Sequence, residues 1–443
     1  MKNIATVLAL SVLLAAGARA QQGPNTESDP GKDQKTTDVK LPVKASTPAL
    51  DATDEELKKK VEEMKSQLEG LDEAIKELQT DRDALKKIKV SGYLQINFEK
   101  SESMNGLSVD PYDAKDFVKS RFRVRRSRIK IMYDGGSTSM VVQGDYSNSG
   151  FSLKDAYLDF AEQSLKMFSF RFGVFNRPNY EVEYSSSQRE SPERSRVIGA
   201  LYPGERDLGV MVTMAPEDLF KLQLAAFNNT FAGTFSQNNP NFSSEPLYFM
   251  ARVTKALNLG DVGIDFGVHG RFGSVRANSA RLLESDVATN GAADTTSIKV
   301  GDAVSRNWFG AEVQLYYDFL GGMKLLAEYI TGSDVNVLSA TPGAIRKRDF
   351  NGYYAMLVKS LGDEFQFAVK YDSYNPNSKI SSDVINSTSE LAINTIGLGL
   401  HNYSFPNVRL TLWYDNVTTK TNDRILKEDP KDNLLTFGAQ YKF

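Results

Sequence analysis

The sequence predicts an all-β fold: a 16-stranded antiparallel transmembrane β-barrel preceded by an N-terminal α-helical coiled coil. Three observations predict it. From Val90 onward apolar and polar residues alternate with a period of two. The links between the alternating segments are by turns short and long. After Ala20 no apolar run approaches the roughly 18 residues a membrane helix needs, so this chain can cross a bilayer only with strands. Composition agrees: 10% aromatic residues, with 25 Phe and 19 Tyr among 443, suit strands. The absence of cysteine removes disulfides, Cys-based zinc sites, iron–sulfur clusters and thiol nucleophiles. A formal charge of −3 provides no basic field for a nucleic acid.

The elements follow in chain order. Lys2, the apolar run Ile4–Ala16 and the closing Ala18-Arg19-Ala20 have the cationic start, short apolar core and small −3 and −1 residues of an export signal over 1–20. Residues 21–50 hold Pro24, Pro30, Pro42 and Pro48 among polar groups, too little apolar surface to offset chain entropy; they read as a flexible linker. Over 51–88 the period changes. Leu57, Val61, Met64, Leu68, Leu71, Ile75 and Leu78 are spaced alternately by four and three, and Leu85 resumes the stripe after Arg82. An apolar seam every 3.5 residues makes helices wrap around one another, so the segment predicts a self-associating coiled coil and a homo-oligomer.

Residues 89–443 read as the barrel, with strands near 90–99, 121–133, 138–146, 152–161, 167–175, 206–214, 219–228, 246–256, 262–272, 307–319, 323–333, 350–360, 364–373, 391–402, 407–416 and 433–443. In Val262–Phe272 the even positions are apolar or Gly, while the odd ones include Asp265, His269 and Arg271. Links after even strands are tight, as at Asp134-Gly135-Gly136 and Gly321-Gly322; links after odd strands are long, as at 101–119, 176–205 and 273–306, with 147–151 the short exception. Short turns at one end and long loops at the other are the signature of an outer-membrane barrel, turns periplasmic and loops outside, with outward apolar residues on lipid and inward polar ones in water. Leu435, Phe437, Ala439, Tyr441 and Phe443 continue the alternation, as a strand that closes on the first would.

The densest charge feature is Arg121–Lys130, six cations without an acid. Phe122 and Val124 are even, but Ile129, Ile131 and Tyr133 are odd, so a constant lipid face requires a β-bulge near Arg125-Arg126. Arg123, Arg125, Arg128 and Lys130 then point inward, because Arg toward lipid at mid-bilayer costs roughly 2–4 kcal/mol. Arg121 and Arg171 join them as a candidate anion path, since forked guanidinium donors suit phosphate or carboxylate oxygens. The competing reading pairs these cations with wall acids such as Asp145, Asp155 and Asp159 in a purely structural network. The 176–205 link is too long for an ordinary hairpin loop and, folded inward, narrows the pore. It sets Arg177, Arg189, Arg194 and Arg196, with Arg206 beyond its end, against Glu181, Glu183, Glu190, Glu193 and Glu205, a mixed field.

Ser91-Gly-Tyr-Leu-Gln95, the Phe122–Arg128 run, Leu153-Lys-Asp-Ala-Tyr157, Phe172-Gly-Val-Phe-Asn-Arg-Pro178, Glu193-Arg-Ser195, Arg206-Asp-Leu-Gly209 and Phe227-Asn228 stand here in one order. Together they resemble the phosphate-selective porin O and P family over roughly residues 90–230. The resemblance implies a sixteen-stranded trimeric porin with its third loop folded inward and arginines in the lumen. The coiled coil resembles the periplasmic extensions of some sugar porins, which keeps neutral solutes as an alternative. Catalysis is not expected: only His269 and His401 exist, and neither has a nucleophile motif nearby. No cofactor or metal is expected. A tether from outer membrane to cell wall is compatible with transport, because a helix over 57–85 reaches about 43 Å.

Overall fold

The computed structural model describes residues 54–103, 119–147, 150–217, 219–228, 242–243, 247–277, 280–287, 293–318, 321–336, 344–379, 385, 388–423 and 425–443. The expected signal peptide (1–20) and linker (21–50) lie outside the described residues, as do residues 51–53 of the coil. The chain divides into two compact units at Leu85/Lys86. In the first, helix α1 spans Asp54–Lys86 without a proline or a break. Its seam residues Leu57, Val61, Met64, Leu68, Leu71, Ile75, Leu78 and Leu85 are all exposed, by 45% to 67%.

The second unit is a closed ring of sixteen strands among the described residues: β1 (Ile88–Ser101), β2 (Ser120–Asp134), β3 (Thr138–Ser147), β4 (Gly150–Ala161), β5 (Phe168–Asn176), β6 (Arg206–Met214), β7 (Lys221–Phe227), β8 (Tyr248–Asn258), β9 (Val262–Phe272), β10 (Asn307–Tyr317), β11 (Met323–Asn336), β12 (Ala344–Leu361), β13 (Phe365–Asn375), β14 (Ile393–Asn402), β15 (Val408–Thr419) and β16 (Leu434–Lys442). Each pairs antiparallel with the next, and β16 closes on β1 from Tyr93↔Lys442 to Ser101↔Leu434. Every strand read from the sequence corresponds to one of these. Beyond the ring, the hairpin Arg281–Val287/Ala293–Ile298 attaches in parallel to Ala344–Arg346 at the tip of β12, and Phe242–Ser243, Ser274–Ala277 and Ala303–Ser305 form a small separate sheet. None of these loop strands was anticipated: they are short and lack a sustained alternation.

The bulge is where the parity change requires it. Gln95 pairs with Arg126 but Ile96 pairs with Val124, so Arg125 is the extra residue. Before it Phe122 faces out, and after it Ile129 and Ile131 do. A second bulge, between Gln143 and Gly144, leaves Lys154 extra on β4. Two glycines are required by close approach. Gly173 has φ +127°, and a Cβ there would lie 2.2 Å from the Ala156 carbonyl oxygen. A Cβ on Gly399 would stand 2.2 Å from the ring of Trp413, which is buried and whose Nε1–H donates to Asp415 Oδ1 at 2.8 Å.

The outward face is apolar, with Phe122, Ile129, Ile131, Val268, Phe309 and Phe437 all exposed. The inward face departs from the expected all-polar wall. Phe175, Phe227, Tyr248, Trp308, Phe350 and Tyr354 point inward and are buried. They form a seat for Val182, Val197, Ile198 and Leu201, which come from the link between β5 and β6. The main apolar core of this barrel therefore lies inside it, beneath an inserted loop.

Candidate functional site

That loop begins with Arg177 and ends at Glu205, and carries two short helices, α2 (Tyr180–Glu183) and α3 (Arg196–Leu201). Asn179 caps α2 by accepting the Val182 N–H at 3.1 Å. Wall strands from most of the circumference hold the loop. Tyr93 Oη and Ser186 Oγ are 2.7 Å apart, and the Gln95 and Gln440 amides donate to the Ser186 and Ser187 carbonyls at 3.0 Å each. Arg409 donates to the Arg189 carbonyl at 3.0 Å, Asp372 accepts the Arg196 N–H at 2.8 Å, and the Trp308 indole donates to Tyr202 Oη at 3.1 Å. These contacts come from β1, β10, β13, β15 and β16, so the loop crosses the lumen.

The predicted cations are brought together along one wall, and most face carboxylates. Arg121 Nε and Arg123 Nε donate to the two oxygens of Glu99 at 3.0 and 2.8 Å. Arg125 donates to both oxygens of the loop's Glu193, through NH2 at 2.6 Å. Arg126, not among the residues singled out from the sequence, faces Glu193 at 3.4 Å and Gln95 Oε1 at 3.0 Å. The bulge itself was the signal for it, since two successive residues at a bulge share a face. Arg128 donates to Asp145 at 2.9 Å and to Ser186 at 3.1 Å. Arg171 forms a two-pronged pair with Asp159 at 2.7 and 2.9 Å, lying 4.1 Å above the Tyr157 ring, and Arg206 pairs with Asp155 at 3.0 Å.

Several loop charges serve the loop itself. Arg177 donates to the Pro203 carbonyl at 2.6 Å, and Arg189 to the Ser191 and Pro192 carbonyls at 3.1 and 3.0 Å. Burial beside Arg194 lowers Arg189 to about 10. Glu181 accepts the Ser195 N–H at 3.0 Å, Arg194 pairs with Glu205 at 2.6 Å, and Glu183 accepts from Arg252 at 2.7 Å. Burial alone would raise the Glu193 carboxyl, but Arg125, Arg126 and Arg123 hold it well below the usual carboxylate range. Arg194 and Arg206 likewise overcome burial at Glu205.

Beside the loop, two cavities follow the β1–β7 wall. The one nearer the short turns, about 610 Å³, is lined by Arg128, Lys130, Arg171, Arg206, Lys221 and Lys442 among others, against Asp155 and Glu183. The one nearer the long loops, about 250 Å³, holds Arg125, Arg126, Lys154, Asp145, Glu193 and Glu205. Arg128 and Arg194 line both. Lys130, Lys221 and Lys442 make no ion pair among the described residues. Lys221 and Lys442 lie at the ends of their strands, where alternation gives the weakest signal. A third space of about 1050 Å³ lies at the turn end of β8–β13, lined by Asp261, Asp265, Asp318, Lys255 and Lys324 among others.

Among solved structures, the outer membrane channel DcaP of Acinetobacter baumannii is similar with a TM-score of 0.54 at 13% identity, over 80% of this chain and 97% of that one. The in-vitro folded trimer form of OmpT, an outer membrane protein of Vibrio cholerae, is similar with a TM-score of 0.48 at 13% identity, over 80% of this chain and 99% of that one. At such identity the likeness to DcaP is one of fold. No curated protein matches the chain by sequence. The family model of the phosphate-selective porins O and P matches residues 108–443, and with a sixteen-stranded ring around an inserted loop in place, the chain belongs to that porin family.

Proposed function

We propose that the chain is a passive outer-membrane porin for small hydrophilic solutes, with a modest preference for anions. The observation that carries the preference is the 610 Å³ cavity, where Lys130, Lys221 and Lys442 lack carboxylate partners among the described residues and arginines outnumber the acids. A positive rim with low-dielectric walls raises the local concentration of anions. The pairing of Arg121, Arg123, Arg125 and Arg128 with acids keeps that preference modest. In a planar bilayer under a KCl gradient, the reversal potential is expected to show chloride passing more readily than potassium. Potassium preference would sink the anion path while leaving the porin intact.

The exposed seam of α1 supports a homotrimer held in part by a three-stranded coiled coil. The coil is periplasmic in this reading, because β1, which follows it in the sequence, begins beside the short turn between β2 and β3. In the full-length chain, Leu68→Lys with Leu71→Lys and Ile75→Lys is expected to dissociate on detergent gels at a temperature where the parent protein stays oligomeric. Equal resistance in the two proteins would remove the coil from assembly.

A further inference from the structure

We propose that His269 on β9, Glu312 on β10 and Glu328 on β11 form a site for a divalent first-row transition ion of the zinc class. The sequence carried no expectation of it. Glu312 and Glu328 are direct cross-strand partners, and both are buried. Like charges in opposed positions destabilise a sheet unless something compensates them. One ligand atom from each of the three residues lies within 4.8 Å of the others.

The compensation supplied by the protein is incomplete. Arg252 donates to one oxygen of Glu312, Oε1, from Nε at 3.1 Å and from NH2 at 2.5 Å, but its NH1 is also committed to Glu183 at 2.7 Å. One guanidinium is thus shared between two carboxylates. Among the described residues, Glu328 hydrogen-bonds with the Asn179 amide and His269 Nε2, the latter at 2.8 Å from its Oε1. The Asn179 amide nitrogen is also 3.3 Å from His269 Nε2. A single ring nitrogen cannot both accept from that amide and donate to the carboxylate. Glu312 Oε2, Glu328 Oε2 and His269 Nδ1 are buried without any partner among the described residues. Buried carboxylate oxygens left bare are costly, and a cation among them removes the cost.

One imidazole and two carboxylates are the donor set of a zinc-class ion, and two negative charges neutralise a divalent one. Tetrahedral ligands at about 2.0–2.1 Å from a shared ion stand about 3.4 Å apart, so binding draws these side chains together slightly. Glu183, which lines the 610 Å³ cavity, marks the way in: Arg252 shifts wholly onto Glu183 and Gln223 as the ion takes its place on Glu312. Through Asn179, which caps α2, the ion would tie the inserted loop to the wall opposite the arginines.

The test is metal content. Full-length protein purified in detergent, stripped with a chelator and dialysed against Zn²⁺, is expected to retain a stoichiometric ion by elemental analysis. Co²⁺ in its place is expected to show visible ligand-field absorption. Glu312→Gln and Glu328→Gln should each weaken Zn²⁺ binding by about tenfold or more, while Asp265→Asn, a change at a lumenal carboxylate outside the cluster, should leave it unaltered. The proposal fails if wild-type protein holds no zinc above the dialysis buffer. It fails equally if the folded double variant Glu312→Gln/Glu328→Gln retains the wild-type zinc. The wild-type stoichiometry decides the matter even if neither variant folds.

Discussion

Replacing Tyr180–Pro203 by a short Gly-Ser link is expected to raise single-channel conductance several-fold and to move ion selectivity toward that of free solution. The wall of a sixteen-stranded barrel encloses an aqueous channel by itself. Here that space is crossed by a segment fixed to β1, β10, β13, β15 and β16. Excision leaves the ring's ladder untouched, because none of the sixteen pairings involves a residue between 177 and 205. It exposes Phe175, Phe227, Tyr248, Trp308 and Phe350 to water, and at about 25 cal/mol per Å² of apolar surface this lowers thermal stability appreciably. Detergent-gel mobility reports whether the barrel has formed, and bilayer recording then gives the conductance. An unchanged conductance from a folded barrel would place the narrowest point elsewhere.

The second large effect is expected from Glu193→Gln. This one carboxylate faces Arg123, Arg125 and Arg126, at 3.6 Å for Arg123 and 3.4 Å for Arg126. Removing one partner from a buried ionic cluster costs about 3–5 kcal/mol, because the remaining charges stay desolvated. The loop should loosen at this latch, and the anion-to-cation permeability ratio should rise several-fold as the guanidinium charges turn to the path. The pH dependence has a definite sign. The folded-state pKa of Glu193 lies below that of an unfolded glutamate, so its contribution is complete above the unfolded value and disappears only as pH falls through the depressed one. Wild-type conductance is therefore expected to hold from pH 7 to about pH 4, well into the range where ordinary carboxylates begin to protonate. A wild-type transition at the ordinary glutamate pKa, or a Glu193→Gln channel with parental selectivity, would count against the latch.

The ring was legible because strand alternation and the rhythm of turns report directly on solvent at each face. The bulge at Arg125 was legible for the same reason: a continuous apolar outward face permits no error in parity. The apolar seat was not. In Phe350–Leu361 both faces carry apolar residues, since one side belongs to the apolar outward face and the other meets Val197 and its neighbours, and a strand that is apolar on both faces shows no period. The fate of the loop charges was also hidden. Arg177 and Arg189 spend their donors on nearby carbonyls, and that choice depends on a fold-back which composition does not encode. The His269–Glu312–Glu328 cluster is spread over sixty residues of chain and meets only through strand register.

The extra residue on β2 has a consequence for heredity. A three-nucleotide deletion that removes Ile129 or Lys130 would put every later side chain of that strand out of phase, whereas loss of Arg125 would only straighten the strand, because its neighbours Val124 and Arg126 already pair with successive residues of β1. Ile131 would then turn toward the lumen, so beyond the bulge this strand tolerates exchange of letters far better than a change in their number.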